Sequence, residues 1–503
     1  MNAKAWTTNF LLAALLVLAA GVPRAAADAE TPPETSPGVK ILGHLEDVEK
    51  PADGWFKPDP NYDNEPYDAA AQLAIYGGKH MNKTAFPPVD LGIRVYDRGA
   101  YTPRPTFLGV RNPINSHFMA YGDLRIGGAY YDNGAPPPGG DSEQGALAVR
   151  LNLDLDFAIT ATERIHAFVR PFDNGASFTR VQFGDGDNEF IDELDFELET
   201  LFFEGDINAI REGLTNRKTT FDLPIAFGRV PLFTQNGIWL NDAFDGIAMG
   251  ITARSSPRLD ISNMDFTFFA GFDKVTTDAA PGDEAKMFGM AGFADLLKGY
   301  AEYGYGYVAA DDNDQSYHNV TAAFTRRYRP TDTIGLSNSV RVIGNFGQSG
   351  AVKTANGFLL LVENSFHRRD PGFLVPYANF FAGFDRPQSL ARAAGTGGVL
   401  NNTGINFESD GLTGYPTLDG TAAESWGAAV GLEKLWGISR QVVVEGAVVQ
   451  RMADSPFGNQ YALGVRFQQP INNAWIFRAD AMHGWRQGLN DVFGVRVELR
   501  RKF

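Results

Sequence analysis

A strict two-residue alternation runs through most of this chain, and no other feature restricts its fold as tightly. Over residues 147–157 every odd position is apolar, while Arg150, Asn152, Asp154 and Asp156 hold even ones. Successive side chains on a strand point to opposite faces, so this is a strand with one greasy and one wet side. Leu194, Phe196, Leu198 and Phe202 repeat the pattern against Glu193, Asp195, Glu197 and Glu199. Val442, Val444 and Val448 stand against Gln441, Glu445 and Arg451, and Tyr461, Leu463, Val465 and Phe467 against Arg466 and Gln468. Trp475, Phe477, Ala479 and Ala481 alternate with Ile476, Arg478 and Asp480. The last residues do the same, with Phe493, Val495, Val497, Leu499 and Phe503 on one face and Arg496, Glu498, Arg500 and Lys502 on the other.

Eighteen such segments can be drawn, at 117–130, 145–159, 164–173, 190–204, 221–231, 244–255, 261–273, 285–297, 299–310, 316–329, 333–346, 354–367, 374–385, 424–436, 440–451, 458–468, 474–486 and 490–503. Their lengths suit tilted membrane strands. The connections also alternate. Tight turns fall at 160–163, 256–260, 298, 330–332, 437–439 and 470–473, and longer loops at 132–145, 174–189, 273–285, 347–353 and 386–424. Two depart from this: 311–314 is short for an outer loop, and the inner connection 205–220 is long and reads as helical. The pattern predicts an all-β fold, a transmembrane antiparallel barrel of about 18 strands (16 at the fewest), with short turns inside and long loops outside. A soluble sandwich or propeller would bury both aromatic rows and has no need of the turn asymmetry.

Composition agrees. The 503 residues include Gly 55, Phe 38 and Tyr 17, and their mean hydropathy is −0.21. That is too low for a multi-helix membrane protein, and no stretch after the leader approaches the ~18 uncharged apolar residues of a spanning helix. Cys 0 excludes disulfides, thiolate metal clusters, a cysteine nucleophile and covalent haem attachment through CxxCH. Residues 1–27 read as a secretory signal peptide, with Lys4 ahead of the apolar run 11–22 and Ala25, Ala26 and Ala27 before cleavage. The leader holds two basic residues and no acidic ones, so its removal takes the net charge from −16 to −18 and argues against nucleic acid as a partner. Residues 28–116 read as an irregular, Pro- and acid-rich N-terminal periplasmic or plug-like segment that could meet a periplasmic partner, with a short helix or strand at 67–76; residues 117–503 form the barrel.

Enzyme constellations are missing: there is no GxSxG and no HExxH, and seven histidines lie scattered. No cofactor is expected. Tyr303, Tyr305 and Tyr307 alternate with Gly304 and Gly306 within a strand, which reads as small positions between girdle aromatics. Asp185, Asp187 and Glu189 form the one carboxylate set with a weak resemblance to a calcium loop, but Phe190 stands where an EF-hand needs glycine, so a solvated acidic loop is favoured. The informative signal is the polar face. Projected inward, it gives Arg125, Arg150, Arg327, Arg329, Arg341, Arg466, Arg478, Arg496 and Arg500 as wall residues, with Asp123, Asp154, Asp156, Glu363, Glu445, Asp480 and Glu498 on the same face. The arginines of the last three strands meet Arg125 and Arg150 of the first two, predicting one contiguous basic wall. Glu193, Asp195, Glu197 and Glu199 on the fourth strand predict an acidic one. Charges cannot stand in hydrocarbon without cost, so they meet water or each other. Opposed stripes across a narrow lumen would orient polar solutes; mutual salt bridges would instead close it.

At 225–231, with Gly228, Arg229 and Pro231, followed by Asn236, Gly237, Ile238 and Trp239 and then Phe244, Asp245, Gly246 and Ile247, the chain resembles the alginate-export and related porins of Gram-negative outer membranes. Val230 stands where that family has Gln. The resemblance implies an eighteen-stranded monomeric barrel with an arginine-lined pore for anionic polyuronate, and by motif it carries over Arg229 alone. The terminal Phe503 resembles the aromatic that the barrel-assembly machinery reads. The expected protein is therefore a passive outer-membrane channel for hydrophilic, charged small solutes or oligosaccharides, set among outer-membrane lipid and lipopolysaccharide. The alternatives are the sheath of a porin–cytochrome electron conduit and a structural barrel with a closed lumen.

Overall fold

The computed structural model describes residues 87–92, 105–110, 116–134 and 143–503, apart from 161, 175–176, 185–186, 279, 297, 332–333, 369–373, 394, 410–411, 437–439, 453–457 and 473. The expected signal peptide and the element at 67–76 lie outside these residues.

Eighteen strands build the wall: β1 (His117–Asp132), β2 (Glu143–Ala158), β3 (Arg164–Val169), β4 (Leu198–Asp206), β5 (Pro224–Thr234), β6 (Leu240–Ser256), β7 (Ile261–Thr277), β8 (Ala280–Leu296), β9 (Gly299–Ala309), β10 (Tyr317–Thr331), β11 (Ile334–Phe346), β12 (Asn356–Arg368), β13 (Leu374–Arg386), β14 (Ser425–Trp436), β15 (Arg440–Arg451), β16 (Gln460–Pro470), β17 (Trp475–Arg486) and β18 (Val492–Lys502). Each pairs antiparallel with its chain neighbours, and β18 pairs back onto β1 from Phe493↔Asp132 to Lys502↔Asp123. Phe503 adds two backbone hydrogen bonds with Gly122, both 3.0 Å, at the seam. A closed sheet leaves no unpaired strand edge, which is what lets β-structure stand in hydrocarbon.

The outer face is apolar. Ile126, Leu147, Phe288, Phe324, Phe380, Val430, Leu463 and Val497 are all large hydrophobics left exposed by the protein itself. On β14 that face runs from Trp426 to Trp436, both about half exposed. Ten residues at ~3.4 Å each, tilted by ~40°, span ~26 Å, the height of an outer-membrane apolar band between its aromatic girdles. Closed, even-stranded and apolar outside, the fold is that of a Gram-negative outer-membrane barrel.

Three features differ from the alternation read off the sequence. The expected outer loop 273–285 is instead an extension of β7 and β8, which pair as far as Thr277↔Ala280. β3 is short, and Arg180–Gly184 takes its place beside β2, pairing Ala148↔Arg180 to Gly145↔Phe183. β4 begins only at Leu198, with a register break between Leu198 and Thr200 against β3. The break reverses the parity beyond it, so Phe202 faces inward, stacked on His166 with ring centroids 5.4 Å apart, rather than toward lipid with Leu198.

At the turn end, the 205–220 connection carries the expected helix, α1 (Ile207–Thr215). Asp206 caps it, accepting from the Ala209 amide at 2.7 Å and, through its second oxygen, from Leu223 at 2.6 Å. The segment before the barrel is not wholly irregular. Val89–Gly92 pairs with β1 over His117 to Ala120, just past the end of β18, and the two-residue strands Pro105–Thr106 and Gly109–Val110 form a hairpin. Gly109, at φ +90°, lies against α1 so closely that a Cβ there would meet the Gly213 carbonyl oxygen at 2.0 Å.

Candidate functional site: the lumen constriction

Three segments from the loop end fold into the barrel. The first is the β5–β6 hairpin. Its β6 arm pairs with β7 only from Asp245 onward, and Leu240 and Asn241 instead pair in parallel with Ala391 and Arg392. Trp239 at its turn is fully buried and donates from Nε1 to Asn319 Oδ1 at 2.6 Å. The second is the hairpin Asp173–Asn174/Ser177–Phe178, whose Phe178 packs with Leu412 and Ala148. The third and longest is 387–424, which buries Leu390, Val399, Leu400, Phe407, Leu412 and Leu418 against the inner wall.

This packing explains a motif. Tyr305 of β9 faces outward, while Gly304 and Gly306 face the lumen. A Cβ at Gly304 would sit 2.5 Å from the Trp239 ring, and one at Gly306 would sit 2.5 Å from Leu390. The glycines are spaces for the inward segments, beyond being gaps between girdle tyrosines. The same demand makes part of the inner wall apolar, as with Ile343, Leu359 and Leu361, all fully buried.

Opposite these segments lies the arginine wall. Arg150, Arg125 and Arg500 are direct cross-strand neighbours on β2, β1 and β18. One step along, Glu498 stands beside Arg478; one step further, Arg496, Asp480 and Arg466 form a row. The expected contiguous basic wall is thus interleaved with carboxylates. Arg125 pairs with Glu498 at 2.6 Å, Arg500 with Asp123 at 2.8 Å, and Arg150 with Asp173 at 3.7 Å. Asp480 takes Arg466 at 2.7 Å and Arg478 and Arg496 at 2.8 Å, and Glu408 of the long loop takes Arg466 at 2.6 Å and Arg478 at 3.3 Å. The pairing is layered. The Asp173 and Asp480 side chains are 0% and 5% exposed, against 18% for Arg150 and 40% for Arg500. At Arg150 and Arg500 the guanidinium is thus the more exposed partner, whereas Glu408, 29% exposed, is more open to the lumen than Arg466 and Arg478 at 13% and 16%.

Two loop carboxyls show how far the environments diverge. Burial pushes Asp173 up to about 6 despite Arg170 and Arg150 beside it. Burial also opposes ionisation of Glu408, yet Arg466 and Arg478 more than offset it and hold that carboxyl below its ordinary value. Between the wall and the inward segments a cavity of about 840 Å³ remains. Arg125, Arg150, Arg170, Arg478 and Arg500 line it with Glu408, Glu433 and Glu498, and Asn236, Asn241, Asn379, Asn401, Asn402 and Thr396 supply a neutral polar rim.

The residues expected from sequence divide accordingly. Arg125, Arg150 and Arg478 border the cavity, while Arg466 and Arg496 stand in the row beyond. Arg341 is buried on another part of the wall, donating to Gln235 at 2.5 Å, with Glu302 3.5 Å away. Arg327 and Arg329 are exposed at the turn end of β10. Arg229 is not in the lumen: its register partner is Leu201 and it shares the outer face with Phe227, pairing with Asp245 at 3.0 Å. The acidic wall is also corrected. Glu193, Asp195 and Glu197 lie in the irregular segment before β4, and Glu199, at the register break, pairs with Arg170 at 2.6 Å. Asp185 lies outside the described residues, and Glu189 is exposed on the strand Asp187–Ile191. Among the described residues, no three His, Asp or Glu side chains come together as a metal site. Sequence reasoning missed Arg170, Glu408 and the amides of the inward segments, whose path has no periodic signature; it also missed Asn379, which lies on the wall strand β13.

Comparison with protein families and with curated proteins finds no match. Among solved structures, the chain is similar to outer-membrane proteins of Pseudomonas aeruginosa. OccK7 (OpdD) is 11% identical, over 76% of this chain and 99% of that one, with a TM-score of 0.49. OccK9 (OpdG) is 12% identical over 76% and 98%, also at 0.49. OpdK, solved with vanillate, is 12% identical over 76% and 98%, at 0.47.

Proposed function

We propose that this protein is a passive outer-membrane channel for small hydrophilic solutes that carry negative charge. One observation carries the reading: a closed barrel encloses a wet cavity of about 840 Å³ lined by five arginines and three glutamates. An excess of arginine over glutamate in the lining, with a neutral amide rim, gives a permeating anion a favourable path, and the ion pairs keep charge in the wall compensated. An anionic oligosaccharide, as in the alginate-export porins, fits the sign of this lining, although Arg229 plays no part in it. No energy source or cofactor is needed, because the solute's gradient drives passage. Residues 28–116 remain available for a periplasmic partner, and Phe503 on the lipid face of the closing strand for recognition during assembly.

A closed structural barrel is the second reading, favoured by the dense ion pairing of the arginines. Single-channel recording in a planar bilayer separates the two. Discrete open-state steps with an anion-selective reversal potential are expected. A barrel that folds and inserts but never conducts would overturn the channel, and a copurifying c-type cytochrome absorbance would favour the electron-conduit sheath.

A further inference from the structure

On the inner wall, Tyr377, Gly431, Glu445 and Gly464 form one cross-strand row over β13, β14, β15 and β16. Glu445 is fully buried, and among the described residues no arginine or lysine pairs with it. A buried carboxylate without a counter-cation persists only if hydrogen bonds replace its water. Here the donors are the backbone amides of Ile405 and Asn406, both at 2.9 Å, the Asn406 side-chain amide at 2.9 Å and the Tyr377 hydroxyl at 2.5 Å. Three of these four come from the long loop. The glycines around the carboxylate make the room. A Cβ at Gly464 would lie 2.4 Å from Asn406 Oδ1, one at Gly404 would lie 2.4 Å from Glu445 Oε2, and one at Gly431 would strike the Tyr377 ring at 2.2 Å. Bare backbone on either side of one carboxylate makes a socket shaped for residues 404–406.

We propose that Glu445 is the positioning residue that fixes the bore: by seating residues 404–406 it holds the 387–424 loop in the lumen. The inference rests on the channel reading for its consequence and on the socket for its geometry. Neighbouring loop residues Thr403, Gly404 and Ile405 border the cavity, so releasing this seat enlarges the path that solutes take. Glu445→Ala removes all four acceptor contacts, and Gly464→Val fills the socket without touching the carboxylate. Both are expected to raise single-channel conductance by at least about twofold and to add open-state noise, since the bore is then set by a mobile segment, while heat-modifiability on gels stays that of the wild type. Because the chain has no cysteine, the loop can be fastened again. The Cγ of Asn406 lies 3.0 Å from a Cβ built at Gly464, within disulfide reach. Asn406→Cys with Gly464→Cys in the Glu445→Ala background should restore quiet, low conductance when oxidised and lose it on reduction. Amide exchange supplies a readout independent of conduction: Ile405 and Asn406 should lose protection in Glu445→Ala. Unchanged conductance and unchanged protection would overturn the assignment, as would a rise that the oxidised lock fails to reverse. A silent wild type would overturn the channel reading instead, and amide exchange would then decide the seat alone.

Discussion

Arg150, Arg125 and Arg500 stand directly opposite one another on three consecutive strands, an arrangement that like charges disfavour. Each is offset by a carboxylate, Glu498 and Asp123 on the wall and Asp173 on the inward hairpin, and the offsets are unequal. Arg125 faces Glu498, whose side chain is 5% exposed, whereas Arg500 is 40% exposed. Because Asp123 beside Arg500 is also only 10% exposed, Arg125→Gln and Arg500→Gln should each lower the urea midpoint in lipid by stranding a buried carboxylate, Arg125→Gln the more because its own guanidinium is 13% exposed. Both should shift the reversal potential toward cations, and the shift should shrink as the Debye length falls from ~10 Å at 0.1 M salt to ~3 Å at 1 M. Reversal potentials that ignore both substitutions would make these arginines purely structural. Asp173 adds a pH dependence. Its carboxyl titrates near 6, so acidification through that value removes one negative charge from beneath Arg150 and Arg170. Anion preference should then rise between pH 7 and 5, and Asp173→Asn should show the acidic-side selectivity already at pH 7. For stability the sign is the reverse of an ordinary paired carboxylate: the folded state holds the proton more tightly, so the penalty for ionising Asp173 fades as pH falls. The inward facing of these arginines was legible from alternation, because parity alone decides a strand residue's face. So were their wall partners Asp123, Asp480 and Glu498, by the same parity, but the loop partners Asp173 and Glu408 were not. Glu408 reaches Arg466 across 58 residues of sequence, and no local pattern encodes that path.

All eighteen strands, and α1 in the one long inner connection, were legible, because a lipid face and a wet face impose the same period on each strand. What failed were places where the period is interrupted. The register break at Glu199 costs one residue and turns Phe202 from lipid to lumen. The loop end of the β5–β6 hairpin leaves the wall, so Phe233 and Asn241, which the alternation left between two strands, come to line the cavity. Elsewhere the facing is firm and can be tested on one element. Val430 lies on the outer face of β14 between Trp426 and Trp436 and is 53% exposed. Val430→Arg puts a cation near mid-bilayer and should cost about 2–4 kcal/mol, whereas Val430→Leu should be nearly silent. Equal unfolding midpoints for the two variants in lipid would contradict the facing of the entire strand, since parity ties its outward residues together.

For the whole molecule, the two ends differ in loop length and in the cations set at the lipid boundary. Arg258, Lys298, Arg327, Arg329, Arg440, Arg501 and Lys502 stand exposed at the turn end. On the outer face of the turn end, Arg326 lies 4.6 Å from the Tyr328 ring, Lys434 5.7 Å from Trp436 and Arg501 5.6 Å from Trp475. Cations held over ring faces at the limit of the apolar band suit a leaflet of anionic phospholipid headgroups. Both barrel termini emerge there too, as an even strand number requires. These features agree with a turn end facing the periplasm and a loop end facing outward. The absence of native cysteine makes the orientation directly measurable. Ala351→Cys places a thiol in the exposed β11–β12 loop, and Asn472→Cys places one in the exposed β16–β17 turn. A membrane-impermeant maleimide should label the first on intact cells and the second only after lysis. Because closure fixes all eighteen strands relative to one another, these two positions orient the whole barrel, and the opposite labelling pattern would invert every strand at once.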